Sequence, residues 1–81
     1  MNKEDIFDKI VDILRDEFED DELEITNETT AADVEGWDSL AHLSIVHEIE
    51  VEFGIKFNIG EIQEFKNVGE MVDSVVRHNA Q

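Results

Sequence analysis

The sequence predicts an all-α fold: a small four-helix bundle of three longer helices and one short helix, with a long loop between the first and second. Three observations predict it. Apolar residues recur at three- and four-residue spacing in separate segments, capping residues stand at the segment boundaries, and no proline interrupts any of the 81 residues. A chain that is 35% charged and 41% hydrophobic could be a disordered acidic tail, but such a tail would lack this spacing.

In the first segment Ile6, Phe7, Ile10, Val11, Leu14 and Phe18 make one face, Asn2 is placed to cap, and Glu4 and Asp5 sit in the positive first turn. The spacing predicts a helix over 3–18. From 19 to 38 the pattern lapses into acids and threonines, with Leu23, Ile25, Val34 and Trp37 as isolated apolar anchors of a long loop. A loop of about twenty residues is unusual in so small a domain and generally has a function. Over 39–53 the residues Leu40, Leu43, Val46, Ile49 and Phe53 form a second stripe that Ile45 widens, and Gly54 follows where a left-handed C-cap belongs. Asn58 with Glu61, and Asn67 with Glu70, have capping-box spacing. They open a short helix over 59–65 and a last one over 68–78, the latter turning Val68, Met71, Val72, Val75 and Val76 inward.

Length and charge bound the function. Residues 1–81 read as one domain, and a chain of this size buries only roughly 60% of the surface its unfolded form exposes; a deep catalytic cleft is not expected. Six basic residues against 22 acidic ones give a formal charge of -16, which repels nucleic acid and anionic membranes and attracts basic protein surfaces. There is no cysteine, hence no disulfide framework and no thiolate metal site or nucleophile. No apolar run approaches the roughly 18 residues of a membrane span, and the first ten residues lack the apolar stretch of a signal peptide; the expected location is cytoplasmic.

The run DEFEDDELE at 16–24 lacks the ligand alternation and central glycine of a calcium loop. His42 and His47 are five residues apart, which does not place them on one helical face as a zinc pair, and neither is read as a ligand; the expectation is no metal site. His78 is read as a favourable charge near a helix C-terminus, and Trp37 as a loop anchor. GWDSL at 36–40 is not a G-x-S-x-G elbow, so a serine hydrolase is disfavoured.

The segment DSL at 38–40, heading the second of four such helices in an acidic chain of 81 residues, resembles the acyl carrier proteins over essentially the whole chain. The resemblance implies a carrier and not an enzyme, with Ser39 as the attachment point of a 4'-phosphopantetheine arm taken from coenzyme A by a separate phosphopantetheinyl transferase. It also implies that Asp38, Leu40, Leu43, Glu48 and Glu52 meet partners: the transferase, and acyl-loading and acyl-processing enzymes with basic docking patches. Leu40 is expected partly exposed, and Leu43 shared between core and cargo. A monomer is expected.

Physical chemistry supports a serine there independently. A hydroxyl in a helix's first turn projects into solvent, and the helix N-terminus offers unpaired amides and partial positive charge to a phosphodiester. Asp38 reads as the N-cap in any case. The chain departs from carriers of primary fatty-acid synthesis in having Ala41 and Ser44 where acids are usual, His47 where methionine is common, and Trp37 before the motif. These features resemble a specialised, stand-alone carrier serving a dedicated pathway more than the housekeeping one, and the resemblance as a whole implies acyl intermediates of fatty acid, polyketide or related biosynthesis as cargo. Two alternatives stand beside it: an aminoacyl or peptidyl carrier, and an acidic helical adaptor without a prosthetic group.

Overall fold

A polar side chain caps the start of each helix, and a left-handed residue follows the first and closes the second. In the computed structural model, which describes residues 2–79 so that the two ends of the expected 1–81 domain lie outside it, α1 spans Lys3–Glu17, α2 Ser39–Phe53, α3 Ile59–Glu64 and α4 Val68–Asn79. Asn2 caps α1 by accepting from the Asp5 amide at 2.8 Å. Helix α1 stops one residue earlier than its apolar pattern predicts, because Glu19 turns into the left-handed region at φ 52°. Gly54, at φ 64°, closes α2, its amide returning to the Glu50 carbonyl; such a turn suits glycine, which has no Cβ to clash.

The core is built from Ile6, Ile10 and Leu14 of α1, Ile45, Val46 and Ile49 of α2, and Val68, Met71, Val72 and Val75 of α4, with Phe57 entering from the α2–α3 connection. Helix α1 packs against both α2 and α4. The predicted α2 stripe is rotated from its expected place. Ile45, Val46 and Ile49 face inward, whereas Leu40 is 79% and Leu43 56% exposed. Leu43 therefore leaves the core, contrary to its expected sharing, because α2 turns the face of Ile45, Val46 and Ile49 inward.

The loop is pinned at several points. The Val68 amide donates to the Thr29 carbonyl at 2.9 Å and the Gly69 amide to the Asn27 carbonyl at 2.8 Å. Two of the N-terminal amides that α4 cannot satisfy internally are thus satisfied by the loop. A Cβ at Gly69 would lie 3.0 Å from the Asn27 carbonyl oxygen, so this approach calls for glycine. The Glu70 amide goes to Asn67 Oδ1 at 2.9 Å, but the Glu70 carboxylate accepts from the Lys66 amide at 3.3 Å in place of the reciprocal Asn67 contact that the sequence predicts. Within the loop, Ala31–Asp33 form a single 3-10 turn, and the Asp33 carboxylate accepts from the Thr30 amide at 2.9 Å.

Helix α3, six residues long, is too short to persist alone and is held by Glu61. Its Oε1 accepts from the Asn58 amide at 3.1 Å, completing the predicted capping box with the Glu61 amide on Asn58 Oδ1 at 2.8 Å. Its Oε2 accepts from the hydroxyl of fully buried Ser74 at 2.7 Å and meets His78 Nε2 at 3.0 Å. His78 is thus a partner of α3 and lies edge-on to Phe57 at 5.4 Å, where its sequence position suggests only a charge at a helix end. The Ser74 and Asn58 hydrogen bonds, with a smaller contribution from His78, outweigh burial and hold the Glu61 carboxyl down from 4.5 to about 2. A depressed carboxyl pKa stabilises the fold above its ordinary value, and that contribution is lost as pH falls through the folded value. Glu61→Gln should therefore lower the melting temperature most above the ordinary value of 4.5. The gap between the two proteins, read by circular dichroism, should narrow as pH falls toward about 2, the other acids being common to both.

Candidate functional site at the start of helix α2

The approach to α2 is rigid before the helix begins. Val34 is buried, its carbonyl accepts from the Trp37 amide at 3.2 Å, and Gly36 at φ 90° makes the bend that returns the chain to α1. Trp37 is 9% exposed and packs against Phe18 with ring centroids 5.8 Å apart. The tryptophan thus fixes where Asp38 and Ser39 emerge.

Asp38 is extended at φ -102°, and its Oδ1 accepts from the Ala41 amide at 2.9 Å, which makes it the N-cap. That bond takes one of the four N-terminal amides without an intrahelical acceptor, and the positive end of the dipole remains available to an anion. Ser39 is the first residue of the helix and is exposed. Leu40 beside it projects into solvent further than partial exposure predicts.

A groove of about 410 Å³ opens next to Ser39, between the start of α2 and α3. Trp37, Leu43, Ile62 and Phe65 give it apolar walls, and Asp38, Ser39, His42 and Gln63 bring polar groups. His42, three residues after Ser39, spans the groove. Its Nδ1 lies 3.2 Å from Trp37 Nε1 and its Nε2 3.1 Å from the Ile62 carbonyl oxygen. The ring stacks on Trp37 at 6.1 Å and meets the edge of Phe65 at 6.4 Å. Reading the sequence for metal ligands missed this role; the usable signal was Trp37 five residues earlier, since a buried indole N–H calls for an acceptor.

The other expected partner-binding residues lie further along α2. Glu48 and Glu52 line a shallow cleft of about 370 Å³ with Ile13, His47 and Val51, and Glu52 is 3.4 Å from Lys9 Nζ of α1. Ser44, where an acid is usual, donates to Glu17 Oε1 at 2.8 Å, so it borrows an acid from α1. Asp38, Leu40 and Leu43 gather around Ser39, while Glu48 and Glu52 lie beyond them. Among the described residues, no set of three His, Asp or Glu side chains is placed to hold a metal ion, and no helix is long and apolar enough to cross a membrane.

The sequence model of the phosphopantetheine attachment site matches residues 8–75, a span that includes the whole of this site. The acyl carrier protein of Lactobacillus acidophilus is 33% identical over 78 residues, covering 96% of this chain and 98% of that one. The chain belongs to the acyl carrier protein family. The acyl carrier protein of Rubrobacter xylanophilus is 35% identical over 78 residues, 96% of either chain. The solution structure of the holo acyl carrier protein of Geobacter metallireducens superimposes with a TM-score of 0.85 at 42% identity, over 91% of this chain and 85% of that one. An acyl carrier protein holds its prosthetic group, phosphopantetheine, on a carrier domain and is not itself an enzyme. The residues present fit that group: an exposed hydroxyl at a capped helix N-terminus, beside a groove with apolar walls.

Replacing the cap should weaken this platform measurably. Asp38→Ala is expected to cost about 1 kcal/mol of stability, whereas Ser39→Ala, at an exposed first-turn position, should shift it by less than about 0.5 kcal/mol. Urea denaturation of both variants checks the contrast.

Proposed function

We propose that this carrier is loaded at Ser39 by a phosphopantetheinyl transferase and then presents acyl thioesters to biosynthetic enzymes that dock on the exposed face of α2. The observation that carries the reading is the coincidence, within the matched span, of an exposed serine hydroxyl with a capped helix N-terminus. The prosthetic group supplies a thiol for thioester formation at the end of a flexible tether. The chain's own residues do the rest. Ser39 Oγ bonds to the coenzyme A phosphorus that bears the pantetheine, the P–O bond of the pyrophosphate breaks so that adenosine 3',5'-bisphosphate leaves, and the hydroxyl proton passes to the transferase. Asp38 fixes the first turn, and the α2 dipole favours the resulting negative charge.

Docking divides between charge and shape. Asp38, Glu48 and Glu52 attract a basic patch, and Leu40 with Leu43 offers apolar anchors, because rim charges steer encounter while buried anchors set the lifetime of a complex. Tethering raises the local concentration of cargo at a docked enzyme, so brief and weak docking suffices. Glu52, already near Lys9, contributes less to this attraction than Glu48.

Incubation with coenzyme A, magnesium and a phosphopantetheinyl transferase should add the mass of one phosphopantetheine to the intact chain and none to Ser39→Ala. Modification persisting in that variant would place the attachment elsewhere. By surface plasmon resonance against the transferase, Glu48→Lys should slow association at low salt, and the deficit should shrink as salt screens it. Leu40→Ala should instead speed dissociation on the order of five- to ten-fold. Association slowed by Glu4→Lys but unchanged by Glu48→Lys would move the docking face to α1.

A further inference from the structure

The groove beside Ser39 contains a hydrogen-bonded chain whose direction is set by chemistry. An indole nitrogen can only donate, so the 3.2 Å contact from Trp37 Nε1 requires an unprotonated Nδ1 on His42. A carbonyl oxygen can only accept, so the 3.1 Å contact to Ile62 requires the proton on Nε2. The two contacts together select the neutral Nε2–H tautomer. Ile62 lies in the last turn of α3, where carbonyls lack intrahelical donors, and α3 is too short to hold its own C-terminal end. His42 lies one helical turn beyond Ser39, so the ring at the centre of this chain shares a face with the attachment serine.

We propose that His42 is a positioning residue of the attachment site: by accepting from Trp37 and donating to the Ile62 carbonyl, it fixes α3 against the first turn of α2 and sets the shape of the surface that the transferase meets around Ser39. Glu61 holds the same short helix to α4 through Ser74 and His78, so α3 is tied on two sides and His42 governs the side facing the serine. This role rests on Ser39 being the attachment point, but its structural half can be tested without that assumption.

Nitrogen NMR of the His42 ring at neutral to mildly alkaline pH should show a bare Nδ1 and a protonated Nε2, and the Trp37 indole proton should exchange slowly with solvent. His42→Leu keeps an apolar filling but removes both bonds, whereas His42→Gln retains one acceptor and one donor. His42→Leu should speed exchange of the α3 amides and raise the transferase KM for the carrier about five-fold, since the two lost bonds reach the transferase only through the position of α3, with kcat within about two-fold. His42→Gln should restore most of the KM. A ring carrying its proton on Nδ1 overturns the proposal, as does a His42→Leu carrier that is folded by circular dichroism and loaded with unchanged KM. Failure of Ser39 as the attachment point would appear separately, as mass gain in Ser39→Ala, and would leave the tautomer and exchange results standing as evidence for the α2–α3 tie alone.

Discussion

Much of this structure depends on how the α4 N-terminus is satisfied. Thr29 and Asn27 give their carbonyls to the Val68 and Gly69 amides, and Thr29 is itself buried, its hydroxyl accepting from the Thr26 amide at 2.8 Å. Without these contacts, some twenty residues between α1 and α2 would pay their ordering entropy for only a few apolar anchors. With them, the loop becomes a strap across one end of the bundle, and the chain reaches Val34 and Trp37 in a defined direction. The position of Ser39 follows from that strap as much as from α2 itself.

The molecule then separates two demands that conflict in a small domain. A handle to be reached by several enzymes must be exposed, yet its surroundings must be ordered enough to be recognised. Helix α2 meets both by turning Ile45, Val46 and Ile49 into the core and leaving Ser39 and Leu40 exposed. Rigidity comes in part from carboxylates that hold backbone or hydroxyl donors: Asp38 on the Ala41 amide, Glu50 on the Phe57 amide at 2.8 Å, and Glu61 on α4. Asp38 and Glu50 each take one backbone amide, while on Glu61 a backbone amide and a hydroxyl converge. In this way a strongly acidic chain uses part of its charge as structural hydrogen-bond acceptors.

What the sequence disclosed and what it hid follow from the range of the interactions. Helix starts at Asn2, Asp38 and Asn58 were legible because a cap acts on an amide three residues away, and Gly54 because a left-handed turn favours glycine locally. The exposed serine proposed as the handle was legible through DSL and its setting at a helix start. The orientation of α2 was not, since Leu40, Leu43, Val46 and Val51 permit more than one apolar face and only the packing of α1 and α4 selects among them. Ser74 and His78 were hidden for a related reason: Glu61 announces its local cap at Asn58, while its second oxygen serves residues 13 and 17 positions later. His42 was concealed because, once set aside as a metal ligand, its sequence position gave no hint of the Ile62 carbonyl twenty residues later.

The exposure of Leu40, Leu43, Val51 and Ile59 has a consequence for colloidal behaviour. Apolar surface of this kind on a nearly neutral domain would invite copies to stick to one another. Here every copy carries a formal charge of -16, so two approaching copies repel before their leucines can touch. A basic enzyme meets the opposite force on the same surface. The net charge thus acts as a filter: it keeps the adhesive face free among like molecules, even when crowded, and opens it to cationic ones.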